Sequence, residues 1–138
     1  MIRKRLIQHL ISLMFFIFLA NFFILKFYWY SLIWYLDIIM HLLGGFWVGL
    51  FFLYIFSRKQ QVYFNLNLIL KIFFVSFLVG FLWELYEFYL NVVSGTIFNF
   101  NDTISDLCFD LLGSIVSILY FFKIIMSERI NKVQWKNG

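Results

Sequence analysis

Asp37-x-x-x-His41, Glu84-x-x-Glu87 and Asp102-x-x-x-Asp106-x-x-x-Asp110 all lie inside or at the edge of apolar stretches long enough to cross a bilayer. They account for six of the chain's seven carboxylates, and only Glu128 sits in an ordinary polar tail. An ionised carboxylate in hydrocarbon costs at least about 2.5–3.5 kcal/mol by insertion scales, so such residues mark sites or pathways by default. Each spacing of three or four sets its residues on one helix face. Like charges repel at that spacing, and far more in a low dielectric than in water. The stripes are tolerable if they meet a cation, share protons or open to water.

Many carboxylates around one imidazole suit a hard or borderline divalent ion such as Mg²⁺, Mn²⁺, Ca²⁺ or Fe²⁺. Acids and histidines converging from several helices are also how carboxylate-bridged metal pairs are built in bundles. The candidate metal ligands are Asp37, His41, Glu84, Glu87, Asp106 and Asp110, with Asp102 a further candidate. Glu84, Glu87 and His41 are the candidate reacting groups of a metal-dependent hydrolase or transferase acting on a lipid-linked phosphate, where a cation polarises a phosphoryl oxygen. Two other readings stand beside this one. The first is a non-catalytic subunit of a membrane complex or homo-oligomer. The second is an ion- or proton-binding, transporter-like protein, although the inner halves of the second and third apolar segments are mainly Phe, Leu, Ile and Val.

The elements that must position these residues are helices in a membrane. The chain is 64% hydrophobic and 13% charged, where a soluble domain is about half apolar and about a quarter charged. Four segments, about 6–25, 36–56, 66–90 and 103–125, meet the requirement of roughly 20 apolar residues for a spanning helix. In lipid every backbone group is bonded internally, so an all-α, four-span, single-domain chain over 1–138 is expected. Polar loops are expected at 57–65 and 91–102, and the first segment, after Met1–Arg5, reads as a retained signal anchor. With four crossings, ten of the eleven Lys and Arg fall on one side and only Lys26 on the other. The positive-inside rule then predicts cytoplasmic termini and acids gathered at the outer face. The net charge of +4 reads as topology and lipid attraction, not nucleic-acid binding.

Taken together, Asp37-x-x-x-His41-x-x-Gly44-Gly45, Trp83-Glu84-x-x-Glu87 and Asp102-Thr103-x-x-Asp106-Leu107-x-x-Asp110-x-x-Gly113 resemble the VanZ-like and YjdF-like small membrane proteins. The likeness covers roughly residues 36 to 120. It is closer to the YjdF-like group, because Glu87 stands where VanZ-like chains tend to carry Gln. The resemblance implies a multi-pass protein of a prokaryotic cytoplasmic membrane with an envelope-facing site built on Asp37, His41, Glu84, Glu87, Asp102 and Asp106. Relatives of the VanZ type are associated with glycopeptide-antibiotic resistance, and membrane lipids are the implied partners.

Plainer roles are expected for several residues. Asp102 or Thr103 could cap the fourth helix, and Asp37 could do the same for the second. Capping does not explain Glu84 and Glu87, which lie near a helix C-terminus. Gly45-x-x-x-Gly49 and Gly113-x-x-x-Ser117 are small-residue pairs that let helices approach closely. Cys108 reads as a small hydrophobe, His9 as an interfacial histidine, and Trp47 and Trp83 as packing between helices.

Overall fold

The structure is a computed structural model, and it describes residues 2–59 and 62–126. The basic tail Arg129, Lys132 and Lys136, with Glu128, lies outside the described residues. Five α-helices follow one another: α1 (Ile2–Lys26), a single turn α2 (Trp29–Leu32), α3 (Tyr35–Lys59), α4 (Leu66–Ser94) and α5 (Phe100–Tyr120), which continues as a π-helical turn Phe121–Met126. Four of them are long and apolar enough to cross a membrane, over Lys4–Lys26, Tyr35–Arg58, Leu66–Ser94 and Phe100–Lys123. The all-α, four-span architecture is therefore what the structure has.

The polar loops are shorter than expected. Asn65 opens α4, its side-chain oxygen accepting from the Leu68 amide at 2.8 Å. The helix then runs to Ser94 and stops at Gly95, whose φ of 70° ends it in the left-handed conformation. Thr96 ties the stop down, its hydroxyl donating to Asn91 Oδ1 at 2.8 Å. The cap of α5 is Asn99, which accepts from the Asn101 amide at 3.2 Å. Neither Asp102 nor Thr103 caps it; Asp102 lies within its first turn, exposed, where the helix dipole favours an acid.

The bundle is organised around the pairing of α3 with α5. The inward face of α5 is Asp106, Asp110, then the neighbours Gly113 and Ser114, and one turn on Ser117 and Ile118. Above Ile118 that face is polar or small while most of the exposed side chains are apolar, because the solvent here is lipid and packing rather than hydrophobicity drives association. The fit is backbone to backbone. A Cβ placed on Gly45 would overlap the Asp110 backbone, and one on Gly113 would overlap the Leu42 carbonyl and meet the Phe46 amide. Against this pair α4 lays a single row, Leu68, Ile72, Ser76, Gly80 and Glu84, every fourth residue. Most of the other α4 side chains are apolar, and Phe74, Phe77, Phe81 and Trp83 are exposed. α1 packs on α3, where the Trp47 indole donates to the Leu10 carbonyl at 2.9 Å. Trp47 thus lies between helices as expected. Trp83 does not: it is half exposed and donates along its own helix to Glu87.

The two ends of the bundle differ in kind. At one end Leu6, Leu10, Leu50, Leu53, Leu68, Ile72, Ile118 and Phe121 form an apolar core. The acids occupy the opposite end. Two cavities lie away from them: one of about 610 Å³ along α1 and α3, the other of about 420 Å³ beside Asn65 and Lys71.

Candidate functional site

The site is built in layers by three helices. α3 and α5 enter from the same end, and α4 runs antiparallel to them. Four residues toward the C-terminus of α5 therefore match four toward the N-terminus of α4. Asp37 lies in the first turn of α3, and His41 one turn deeper. Glu84 and Asp106 sit at the level of His41, and all three are buried. One turn below, Asp110 faces Gly80, whose missing side chain leaves room for the carboxylate: a Cβ there would come within 2.5 Å of Asp110 Oδ2. Ser76, Ser114 and Gly49 follow, all buried. Beneath them begins the apolar core.

His41 is the centre of the cluster. Its Nε2 lies 3.8 Å from Asp37 Oδ1 and 3.9 Å from Asp106 Oδ2, and its Nδ1 lies 3.4 Å from Asp110 Oδ1. Among the described residues it is the only ion-pair partner of these carboxylates. Two donor sets emerge, Asp37–His41–Asp106 and His41–Glu84–Glu87, and within each the donor atoms all lie within 4.8 Å of one another. Glu84 is 4% exposed and Asp106 2%, yet Glu84 Oε1 and Asp106 Oδ1 have no hydrogen-bond partner. A buried, unsatisfied carboxylate oxygen is costly and calls for an explanation.

The remaining candidates fall into place around this. Glu87 is half-buried and accepts from the Trp83 indole at 2.9 Å. Asp110 belongs to neither donor set; it sits on the other ring nitrogen of His41, the position from which a carboxylate orients a ligating imidazole. Asp102 joins neither set. His9 lies in the N-terminal third of α1, paired with the Tyr120 hydroxyl at 3.0 Å. The Ser114 and Ser117 hydroxyls donate to carbonyls of their own helix, at 2.8 and 2.6 Å, so neither is poised as a nucleophile. Cys108 is exposed on the outer side of α5.

Residues 2–127 match the family described as "Predicted membrane protein (DUF2238)". The chain belongs to that family. It is a multi-pass membrane protein, and the match takes in every helix of the site. No curated protein and no solved structure matches the chain.

Two contributors to this family member's site carry no clear sequence signal. Ser76, in an otherwise apolar run, is 2% exposed with an unpartnered hydroxyl. Tyr30, hidden among the aromatic residues before α3, lies within electrostatic reach of Asp37 and Glu87. Its hydroxyl donates to Asn21 Oδ1 at 2.9 Å, joining α2 to α1. Burial, then the nearby charges of Asp37 and Glu87, push its pKa up to about 12, so it stays a neutral donor. Its folded pKa lies above the unfolded value near 10, so any stability tied to this proton is present below about pH 10 and fades as pH rises toward 12. Tyr30→Phe removes one partly buried hydrogen bond. It should cost about 1 kcal/mol, read as a small loss of thermal stability in detergent at neutral pH.

Proposed function

We propose that this protein holds divalent cation in its polyacidic cluster and uses it to recognise or process an envelope lipid through a phosphorylated headgroup. The observation that carries the reading is the pair of buried carboxylate oxygens, on Glu84 and Asp106, that no protein group satisfies. Three donors within 4.8 Å of one another have a common centre at most about 2.8 Å from each, slightly wider than the 2.3–2.6 Å of calcium–oxygen bonds and within a small adjustment of magnesium. The donor set is rich in oxygen and poor in nitrogen, which favours Mg²⁺, Mn²⁺ or Ca²⁺, with Fe²⁺ the softer option. Divalent cation would be held by groups drawn from Asp37, His41, Glu84, Glu87 and Asp106, and Asp110 would orient His41. The chemistry a divalent ion supplies at such a place is polarisation of a phosphoryl oxygen and activation of water.

The setting of the site is part of the proposal. Basic residues dominate the end of the bundle away from the acids, which supports cytoplasmic termini and an outward-facing site in a prokaryotic inner membrane. The order of the acidic motifs supports kinship with the YjdF-like and VanZ-like groups. A non-catalytic place in a membrane complex or homo-oligomer is the alternative. It is favoured by α4, which gives its own bundle only one row of side chains.

Metal content tests the reading. Protein purified in detergent without chelator should retain near-stoichiometric divalent metal by elemental analysis. Metal-free protein, even after dialysis against Mg²⁺ or Mn²⁺, would sink the cation reading and leave shared protons to explain the cluster.

A further inference from the structure

The two donor sets share His41, and that sharing limits how the cluster can be filled. An imidazole has two ring nitrogens. Nδ1 faces Asp110 at 3.4 Å, which leaves Nε2 for a cation. A single nitrogen cannot complete both sets at once. Yet each set contains its own buried, unpartnered oxygen: Asp106 Oδ1 in the set from α3 and α5, Glu84 Oε1 in the set that adds α4. One cation beside Asp106 would leave the Glu84 oxygen unsatisfied, and one beside Glu84 would leave the Asp106 oxygen so. Charge points the same way. Asp37, Glu84, Glu87, Asp106 and Asp110 crowd one imidazole with no lysine or arginine paired to them among the described residues. Their combined negative charge exceeds what one divalent ion balances.

We propose that the cluster holds two divalent cations side by side. His41 Nε2, Asp37 and Asp106 bind one, and Glu84 and Glu87 bind the other. This rests on the cation reading above and deepens it, since paired ions about 3.5–4 Å apart form the clamp that stabilises both the attacking and the leaving oxygen in phosphoryl displacement. Substrates of the class R–O–PO₃ are therefore favoured over neutral headgroups.

The test is the stoichiometry and magnetic state of bound Mn²⁺. Wild-type protein in detergent, saturated with Mn²⁺ and freed of excess, should carry two ions per chain and give a spin-coupled spectrum in electron paramagnetic resonance. Asp37→Asn and Glu87→Gln alter the more exposed member of each set with little change of shape. Each should lower the count from two to one and restore the six-line signal of an isolated ion. Saturation of the wild type at one isolated ion per chain overturns the two-cation proposal while leaving the single-cation reading intact. No retained Mn²⁺ at all overturns both. The wild-type count decides the matter even if a variant fails to fold.

Discussion

A Gly45→Val chain should fail to assemble the bundle, whereas Gly44→Ala, one residue away, should fold as well as the parent. A Cβ on Gly45 would overlap the carbonyl oxygen, carbonyl carbon and Cα of Asp110, and backbone atoms cannot swing aside. Relief requires α3 and α5 to separate, which also draws Asp110 away from His41. Overpacking a core by a few methylenes costs about 1–3 kcal/mol when side chains can adjust. Here they cannot, and the reciprocal contact of Gly113 with Leu42 and Phe46 is forced open with it, so a loss above about 3 kcal/mol is expected. On Gly44 the added methyl meets nothing closer than Asp110 Oδ1 at 3.9 Å, an ordinary contact. Replacing a helical glycine by alanine also gains up to about 1 kcal/mol of propensity. Size-exclusion profiles and thermal unfolding in detergent separate the two variants. A Gly45→Val protein of normal stability would mean that α3 and α5 do not meet as described.

Glu84→Leu and Asp106→Leu should act in opposite directions on stability and on cation retention. Each carboxylate is buried with one oxygen unpartnered, so without metal the desolvation of that oxygen is offset by no hydrogen bond. Replacing buried charges by apolar residues of similar volume is often neutral or stabilising, by about 1–4 kcal/mol. Metal-free Glu84→Leu and Asp106→Leu proteins should therefore unfold at temperatures equal to or above that of metal-free wild type. The same variants should bind Mn²⁺ at least about 100-fold more weakly, a loss of at least about 2.8 kcal/mol. Together these outcomes describe a fold that tolerates strain for the sake of a ligand. Destabilised metal-free variants would show instead that the two acids hold the helices together, and the cation reading would lose its main support.

Much of this arrangement can be read along the chain, and the limits of that reading have physical causes. Spacings of three and four mark faces, so the row Asp106–Asp110–Gly113–Ser117 and the pair Asp37–His41 are visible before any coordinates. Period alone does not say which face meets a neighbour. Trp83 and Glu84 are adjacent, and only packing decides that Glu84 turns in and Trp83 out. Helix ends depend on single side-chain bonds, which is why Asn99 rather than Asp102 caps α5, and why α4 runs on through Asn91 to Gly95. Nor does spacing say which ring nitrogen of His41 a carboxylate meets. Asp106 and Asp110 are one turn apart, but they face different nitrogens of His41. Tyr30 is the least legible of all, because its partner Asn21 belongs to another helix and neither residue lies in a periodic pattern.

The apolar core beneath the serines has a consequence for traffic. Among the described residues, Leu53, Ile72, Ile118 and Phe121 are all but fully buried, and their apolar packing closes the inner end of the polar row. The cluster is a cul-de-sac. On the cation reading, a ligand would enter and leave by the end that holds the acids, so a product formed there would compete with incoming substrate.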